Sequence, residues 1–213
     1  MEHSERDGVL AAARIAADLV RCPEVAARWA DESACAGMTV GGLAFHLGTQ
    51  GDLMVRLLQA GPSDLTPIPV AEHYARAAWV SSGPDDDANI GIREGSDELA
   101  QAGPDALATL VQARLDALPD VLDAVGSDVP ILVPWQGWAL TAHDFLVTRL
   151  METVVHSDDL AASVGLPTPD FPESVVTTVL DLLTTLAVRR HGATALVRTL
   201  ARPQRAPATV AAF

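Results

Sequence analysis

Lysine is absent from this chain: its 14 basic residues are all arginine, and they face 28 acidic residues, which gives a formal net charge of −14 at pH 7. Proteins that bind nucleic acids need an excess of basic side chains to pair with the phosphate backbone. We therefore expect no nucleic-acid partner. The all-arginine basic set, together with abundant alanine, is typical of a GC-rich bacterial genome and carries no information about mechanism.

Cysteine is nearly absent as well. The two thiols, Cys22 and Cys35, form no CxxC pair and make no disulfide framework. In a reducing compartment we expect both to be free. A structural role is favoured over a catalytic one, because free cysteine is among the most buried residue types.

The chain also lacks a long apolar run. No uncharged hydrophobic stretch approaches the ~20 residues that a membrane span needs. The first residues, MEHSERDG, are polar and acidic where a signal peptide is basic and then apolar. We therefore expect a soluble, cytoplasmic protein without a membrane partner.

What the sequence does contain is helical periodicity. Apolar residues recur at helical spacing in four long segments, and a fifth helix with a basic tail follows them. The segments lie around residues 9–20, 40–60, 97–125 and 142–164, and the fifth helix at 172–191. This pattern predicts an all-α fold: a four-helix bundle with a long crossover connection and a short C-terminal helical extension. Residues 1–165 are expected to form the bundle, and residues 166–213 a C-terminal helix and tail packed on it.

Two segments between the helices have a different character. Residues 61–92 are rich in proline and carry an acidic run at 85–87, so we expect a largely irregular connection. A disordered linker and an ordered lid are both compatible with it, and its aromatic residues favour the lid. The acidic run is interpreted as a solvated face or a helix cap rather than a metal site. Residues 129–141 are rich in β-branched and aromatic residues, which indicates a small hairpin or an extended connector.

The stretch TAHDFLVTRLMETVVHSDDLAASVG, residues 141–165, carries the most chemistry. At about 100° per residue, its polar residues Arg149, Glu152, His156 and Asp159 fall within an arc of roughly 80°. That arc lies on the apolar side of the predicted helix. Ionisable groups are costly to bury unless they are paired or bind a metal. We therefore expect these side chains to be paired with residues from another part of the chain or to bind a metal ion.

A second ionisable residue, His46, lies on the apolar side of the helix predicted at 40–60. Together with Glu152 and His156 it offers two nitrogen ligands and one oxygen ligand, a set that suits zinc with one coordination position left open. The alternative is a buried, hydrogen-bonded pair of Glu152 and His156 with His46 elsewhere in the core. The spacing of the residues leaves both interpretations open.

Other residues are candidates for a supporting role. A metal-bound histidine usually donates its other ring N–H to a carboxylate or carbonyl. We therefore expect Arg149 or Asp159 to contact the ligand side chains without binding the metal itself. Asp159 facing solvent is the alternative. Tyr74, Trp135 and Trp138 belong to a small aromatic set and are expected to wall the open side of the site, with core packing as the alternative.

Two stretches together carry a family resemblance: SACAGMTVGGLAFHL, residues 33–47, and RLMETVVHSDDLAASVG, residues 149–165. They resemble the mycothiol-dependent maleylpyruvate isomerase family, whose N-terminal part is a DinB-like four-helix bundle. The tail RHGATALVRTLARPQRAP is also similar to sequences of that group. The resemblance departs at Met38, where the family commonly has tryptophan. It departs again after Gly165, where fewer than fifty residues follow and the isomerase has a further α/β domain.

The resemblance implies a divalent metal, usually zinc, held by His46, Glu152 and His156, with mycothiol or a related thiol as cosubstrate. A zinc-bound thiol is deprotonated, and the thiolate is the nucleophile. The expected function is therefore that of a metal-dependent thiol transferase or isomerase acting on a small-molecule substrate. A non-catalytic metal-binding or stress-response bundle is the alternative. Bundles of this type often pair, so a homodimer is compatible with the sequence.

Overall fold

The computed structural model describes residues 3–81 and 86–213, and it is 69% helical. The described helices are α1 His3–Val20, α2 Pro23–Ala27, α3 Val40–Gln59, α4 Val70–Arg76, α5 Ala78–Ser81, α6 Asp87–Ala100, α7 Pro104–Ala124, α8 Ala142–Val164, α9 Glu173–His191 and α10 Ala193–Ala201. A short 3-10 turn at Pro203–Arg205 follows, and strands β1 Pro130–Val133 and β2 Trp138–Thr141 form a hairpin. The all-α fold class is confirmed. Among the described residues, none of the helices combines the length and the apolar character that crossing a bilayer would need.

The bundle consists of α1, α3, α7 and α8. Helix α3 packs on the other three, and α1 also packs on α7 and α8. The core has two hydrophobic clusters, and α8 contributes to both of them: Phe145 and Leu146 to one, Leu160 and Ala161 to the other. The polar residues of α8 therefore lie between two apolar regions.

Local signals define the ends of the two helices that matter most for function. The Thr39 hydroxyl accepts a hydrogen bond from the backbone N–H of Gly42 and caps α3. The Thr141 hydroxyl accepts one from Asp144 and caps α8 in the same way. Helix α8 ends at Gly165, whose φ of 75° is a left-handed conformation that glycine adopts without a steric penalty.

The expectation of a largely irregular segment at 61–92 was wrong. The described part of it contains α4, α5 and the start of α6, whereas Gly83, Pro84 and Asp85 lie outside the described residues. Helices this short are held by tertiary packing rather than by their own periodicity. The helical segment expected at 97–125 is divided near Gly103 and Pro104, where its sequence allows an irregularity: the chain turns at Gly103, with φ 85°, before Pro104 begins α7.

The hairpin fixes the position of α4. Strands β1 and β2 pair antiparallel, with Val133 opposite Trp138. The Ile68 N–H donates to the Ala139 carbonyl at 2.9 Å, so the chain entering α4 is tied to β2. The Val70 N–H then donates to the Asp144 carboxylate at 3.2 Å. As a result, α4 lies beside the first turns of α8.

The C-terminal residues pack on the bundle. Helix α9 contacts α1 and α8 and buries Val175, Val179 and Leu182 in the same cluster as Phe145. The ring of Phe213 lies 5.5 Å from that of Tyr74, so the last residues return to α4. The division of the chain at residue 165 stays a prediction.

Candidate metal centre

The structure brings His46, Glu152 and His156 together. Glu152 Oε2 lies 3.3 Å from His46 Nε2 and 3.2 Å from His156 Nε2. The two imidazole rings are perpendicular, with centroids 4.8 Å apart. The three side chains are 14–22% exposed, so the cluster is sheltered but not fully buried.

These separations fit a shared metal ion. Two ligands of a tetrahedral zinc with bonds of about 2.0–2.1 Å stand about 3.3 Å from each other. A strong hydrogen bond between a charged nitrogen and a carboxylate is shorter, about 2.7–2.9 Å. The two distances from Glu152 are thus compatible with a shared ion as well as with hydrogen bonds, and all three donor atoms lie within 4.8 Å of one another.

Asp159 orients His156 from the other side of the ring. Its Oδ2 lies 2.9 Å from His156 Nδ1. When the ring is neutral and its Nδ1–H donates to Asp159, Nε2 carries the lone pair that a metal ligand requires. Arg149 has a different place: its Nη1 donates to Gln50 Oε1 at 2.7 Å, and Gln50 donates to the His46 carbonyl at 2.8 Å.

Cys35 also reaches this group, which the sequence analysis did not anticipate. Its Sγ lies 3.4 Å from Asp159 Oδ2 and 4.0 Å from His156 Nδ1. Cys35, His156 and Asp159 would themselves form a possible ligand set. The described residues therefore offer two overlapping ligand sets, which share His156. Nothing in the sequence pointed to Cys35 except its place within the stretch 33–47.

The charges of the cluster are strongly coupled. Burial alone raises the pKa of Glu152, but hydrogen bonds from His156 and His46 and the charge of Arg149 outweigh it, so that this pKa lies well below its usual value. Burial alone lowers the pKa of His156, but its contacts with Asp159, Cys35 and Glu152 raise it well above its usual value. In the metal-free protein Glu152 is therefore an anion and His156 a cation near neutral pH.

The three aromatic residues expected to wall the site do not form one wall. Trp135 lies in the hairpin turn and is 53% exposed. Trp138 donates from Nε1 to His73 Nδ1 at 3.1 Å. Tyr74 is buried in the core and packs on Phe213. His73, one of the aromatic residues of the 61–92 segment, lies between them: its ring centroid is 5.9 Å from that of Trp138 and 4.9 Å from that of Tyr74.

Comparison with known proteins gives the family. Residues 9–161 match the sequence model of the mycothiol maleylpyruvate isomerase N-terminal domain. The chain belongs to this family.

Two solved structures show the same fold. They are crystal structures of the mycothiol-dependent maleylpyruvate isomerase and of a histidine-to-alanine mutant of it, with 20% and 19% sequence identity. Each gives a TM-score of 0.52 over 86% of this chain and 68% of the other. No curated protein sequence matches the chain. At this level of identity the structural likeness supports the fold alone.

The family match ends at Ala161, near the end of α8, so α9 and α10 lie outside it. Met38, at the position where this family commonly has tryptophan, is buried and packs in the cluster around Leu43. Here Met38 is therefore part of the core.

This member of the family also has a cavity of about 460 Å³ between α1, α8 and α9. Glu5 and His143, whose side chains are 2.7 Å apart, lie at its edge. None of the predicted ligands or aromatic wall residues lines it. The cavity is therefore separate from the cluster of His46, Glu152 and His156.

Proposed function

We propose that this chain is a metal-dependent enzyme that uses a low-molecular-weight thiol to modify or isomerise a small molecule. His46, Glu152 and His156 hold a divalent, zinc-like ion. The observation that carries the proposal is the convergence of three donor atoms at metal-ligand spacing, with Asp159 behind His156. Membership of the mycothiol maleylpyruvate isomerase family supports mycothiol, or a related thiol, as the cosubstrate.

The residues around the cluster perform distinct tasks. A divalent ion bound there would act as a Lewis acid and favour the thiolate form of a bound thiol. Asp159 keeps His156 in the tautomer that presents Nε2 to Glu152. The partial exposure of the three ligands leaves an approach for the cosubstrate. Gln50 holds the backbone of α3 at His46 and thereby fixes the position of that ligand.

The first test is elemental analysis of the purified protein, followed by a thiol-dependent depletion assay with mycothiol and small electrophiles, maleylpyruvate included. We expect one zinc-like ion for each chain in the wild type. His46→Ala should lose the ion and the thiol-dependent activity while circular dichroism still reports a helical bundle. His143→Ala is the matched control, because His143 is exposed and pairs with Glu5 at a cavity that none of the three predicted ligands lines.

Two results would contradict the proposal. A stoichiometric ion that persists in a double variant, His46→Ala with His156→Ala, would place the metal elsewhere. A stoichiometric ion without any thiol-dependent turnover would favour the non-catalytic metal-binding alternative.

A further inference from the structure

Helix α10 exposes its apolar face. Its side chains Val197 and Leu200 are 62% and 78% exposed, the two highest values among the large apolar residues that the structure describes. Ala193 and Ala201 lie one turn before and one turn after Val197 and are exposed as well. An amphipathic helix at a protein surface normally turns its apolar stripe towards the core. The outward stripe therefore indicates a surface that another molecule covers.

The segment around α10 is basic, although the chain as a whole is acidic. Residues 182–213 contain five arginines and no aspartate or glutamate, so all 28 acidic residues precede them. Arg198 and Arg202 are exposed, lie one turn apart and directly follow two residues of the apolar face. Within the described residues neither of them forms an ion pair. We call this surface the α10 patch: Val197, Arg198, Leu200 and Arg202.

Helix α6 has an exposed surface of the opposite charge. Ile92 and Leu99 are 39% and 54% exposed and lie two turns apart on one face. Between them lies Gly95, where an added Cβ would meet no atom within 4 Å. Glu94 and Glu98 are exposed, lie one turn apart and form no ion pair within the described part of the chain. We call this surface the α6 patch: Ile92, Glu94, Glu98 and Leu99.

The two patches agree in spacing as well as in charge. In each patch the two charged residues are four positions apart, which is about 6 Å along a helix axis. Two helices that pack side by side can therefore form both ion pairs while their apolar side chains make contact. Helix α6 packs on α3 and α5, and α10 packs on α9 and the 3-10 turn. The exposed sides of both helices remain accessible.

We propose that the α10 patch of one copy of this chain binds the α6 patch of a second copy. The contact joins two different surfaces, so it is heterologous, and one copy can bind two neighbours. A contact between two helices is at the small end of protein interfaces, so the association should be weak and reversible. None of the patch residues is a predicted metal ligand, and the inference does not rest on the proposed function.

Charge and size favour a second copy over an anionic membrane. The 28 acidic residues of the chain would be repelled by the negative charge of such a membrane. A helix of nine residues with two exposed aliphatic side chains also buries little apolar area in a lipid interface. A second copy instead offers acidic and apolar side chains at matching positions.

Sedimentation velocity of the full chain, from about 1 µM to 1 mM, measures the association. We expect the average sedimentation coefficient of the wild type to rise with concentration. Leu200→Glu places a negative charge within the α10 patch and should weaken the association about tenfold or more. Leu65→Glu is the matched control and should associate as the wild type does, because Leu65 is 45% exposed and belongs to neither patch.

Charge reversal tests whether the two patches bind each other. One variant carries Arg198→Glu and Arg202→Glu, and the other carries Glu94→Arg and Glu98→Arg. Each variant alone should be monomeric, because like charges then face each other across the contact. An equimolar mixture should associate, because each patch then meets a patch of opposite charge. Association of the mixture would also show that both variants are folded.

Three outcomes overturn the inference. The first is a sedimentation coefficient of the wild type that does not change with concentration. The second is association that Leu200→Glu leaves unchanged. The third is a mixture of the charge-reversed variants that stays monomeric while each variant keeps the circular dichroism and melting temperature of the wild type.

A membrane arm separates the other occupant. The probe is a vesicle of phosphatidylglycerol and phosphatidylcholine, with pure phosphatidylcholine as its control. Co-sedimentation of a monomeric wild type with the anionic vesicles alone would assign the α10 patch to a membrane and overturn the contact between copies. Metal content and thiol-dependent turnover, which test the proposed function, are measured separately, so the two conclusions can fail independently.

Discussion

His156 Nδ1 and Asp159 Oδ2 lie 2.9 Å apart on adjacent turns of α8. Of the two nitrogens of the ring, one is therefore committed to a carboxylate and the other faces Glu152 at 3.2 Å. This pair gives the imidazole a defined direction and, when the ring is neutral, a defined tautomer. In metal centres such a carboxylate behind a histidine raises the basicity of the ligand nitrogen.

Replacing Asp159 by asparagine should lower metal affinity about 10- to 100-fold, because the neutral amide no longer supports the charge on His156. Competition with a chromogenic chelator measures the affinity. Asp158→Asn is the matched control, since Asp158 is exposed and bonds to Thr168 at the surface. Equal affinities in the wild type and in Asp159→Asn would show that this carboxylate has no role in metal binding.

The stability of the metal-free protein should depend on pH through His156 and Glu152. The raised pKa of His156 means that its contribution is complete below 6.5 and is lost as the pH rises through the folded-state value. The lowered pKa of Glu152 means that its contribution is complete above 4.5 and is lost as the pH falls through the folded-state value. Both contributions are thus fully present between pH 4.5 and 6.5.

Urea unfolding of chelator-treated protein across this range checks that expectation. The difference in unfolding free energy between the wild type and Glu152→Gln should be largest inside the window and should shrink on either side of it. A difference that stays constant with pH would contradict the coupling between the carboxylate and the two histidines.

The two tryptophans of the hairpin should behave differently. Trp138→Phe removes the N–H that His73 Nδ1 accepts, and we expect a loss of about 1 kcal/mol in the free energy of unfolding. Trp135→Phe changes an exposed ring and should stay within about 0.5 kcal/mol of the wild type. Thermal or urea unfolding of the two variants measures the contrast. Equal midpoints would mean that the hydrogen bond to His73 contributes nothing to stability.

Two glycines of α3 allow a matched comparison of packing. A Cβ at Gly41 would lie 2.6 Å from the Trp29 ring, so Gly41→Ala should destabilise the protein by about 1–3 kcal/mol. At Gly51 the nearest atom is the Arg114 Cβ at 3.9 Å, and alanine has the higher helix propensity. Gly51→Ala should therefore stabilise the protein by up to about 1 kcal/mol. If Gly41→Ala is as stable as Gly51→Ala, the contact of Trp29 with α3 is looser than the structure indicates.

The sequence by itself determined the bundle and one half of the cluster of His46, Glu152 and His156. Helical periodicity is a local property, so the long helices could be predicted from the spacing of apolar residues. The placement of Glu152 and His156 on one face of α8 follows in the same way, because residues four apart are neighbours on any helix. The caps at Thr39 and Thr141 are local for the same reason: capping depends on the residue at the helix start.

Only the tertiary structure decided the rest. His46 and Glu152 are 106 residues apart, and their contact depends on how α3 packs on α8. Helix α4 has only seven residues, which is too short for a periodic pattern of apolar residues to predict it. Its stability depends on tertiary packing. The contacts of Cys35 with Asp159 and of His73 with Trp138 could not be predicted, because they depend on the neighbours that packing brings to these residues. Helices and their caps can thus be predicted from short stretches of sequence. Contacts between distant segments depend on the free energy of packing the whole core, and no single segment determines that free energy.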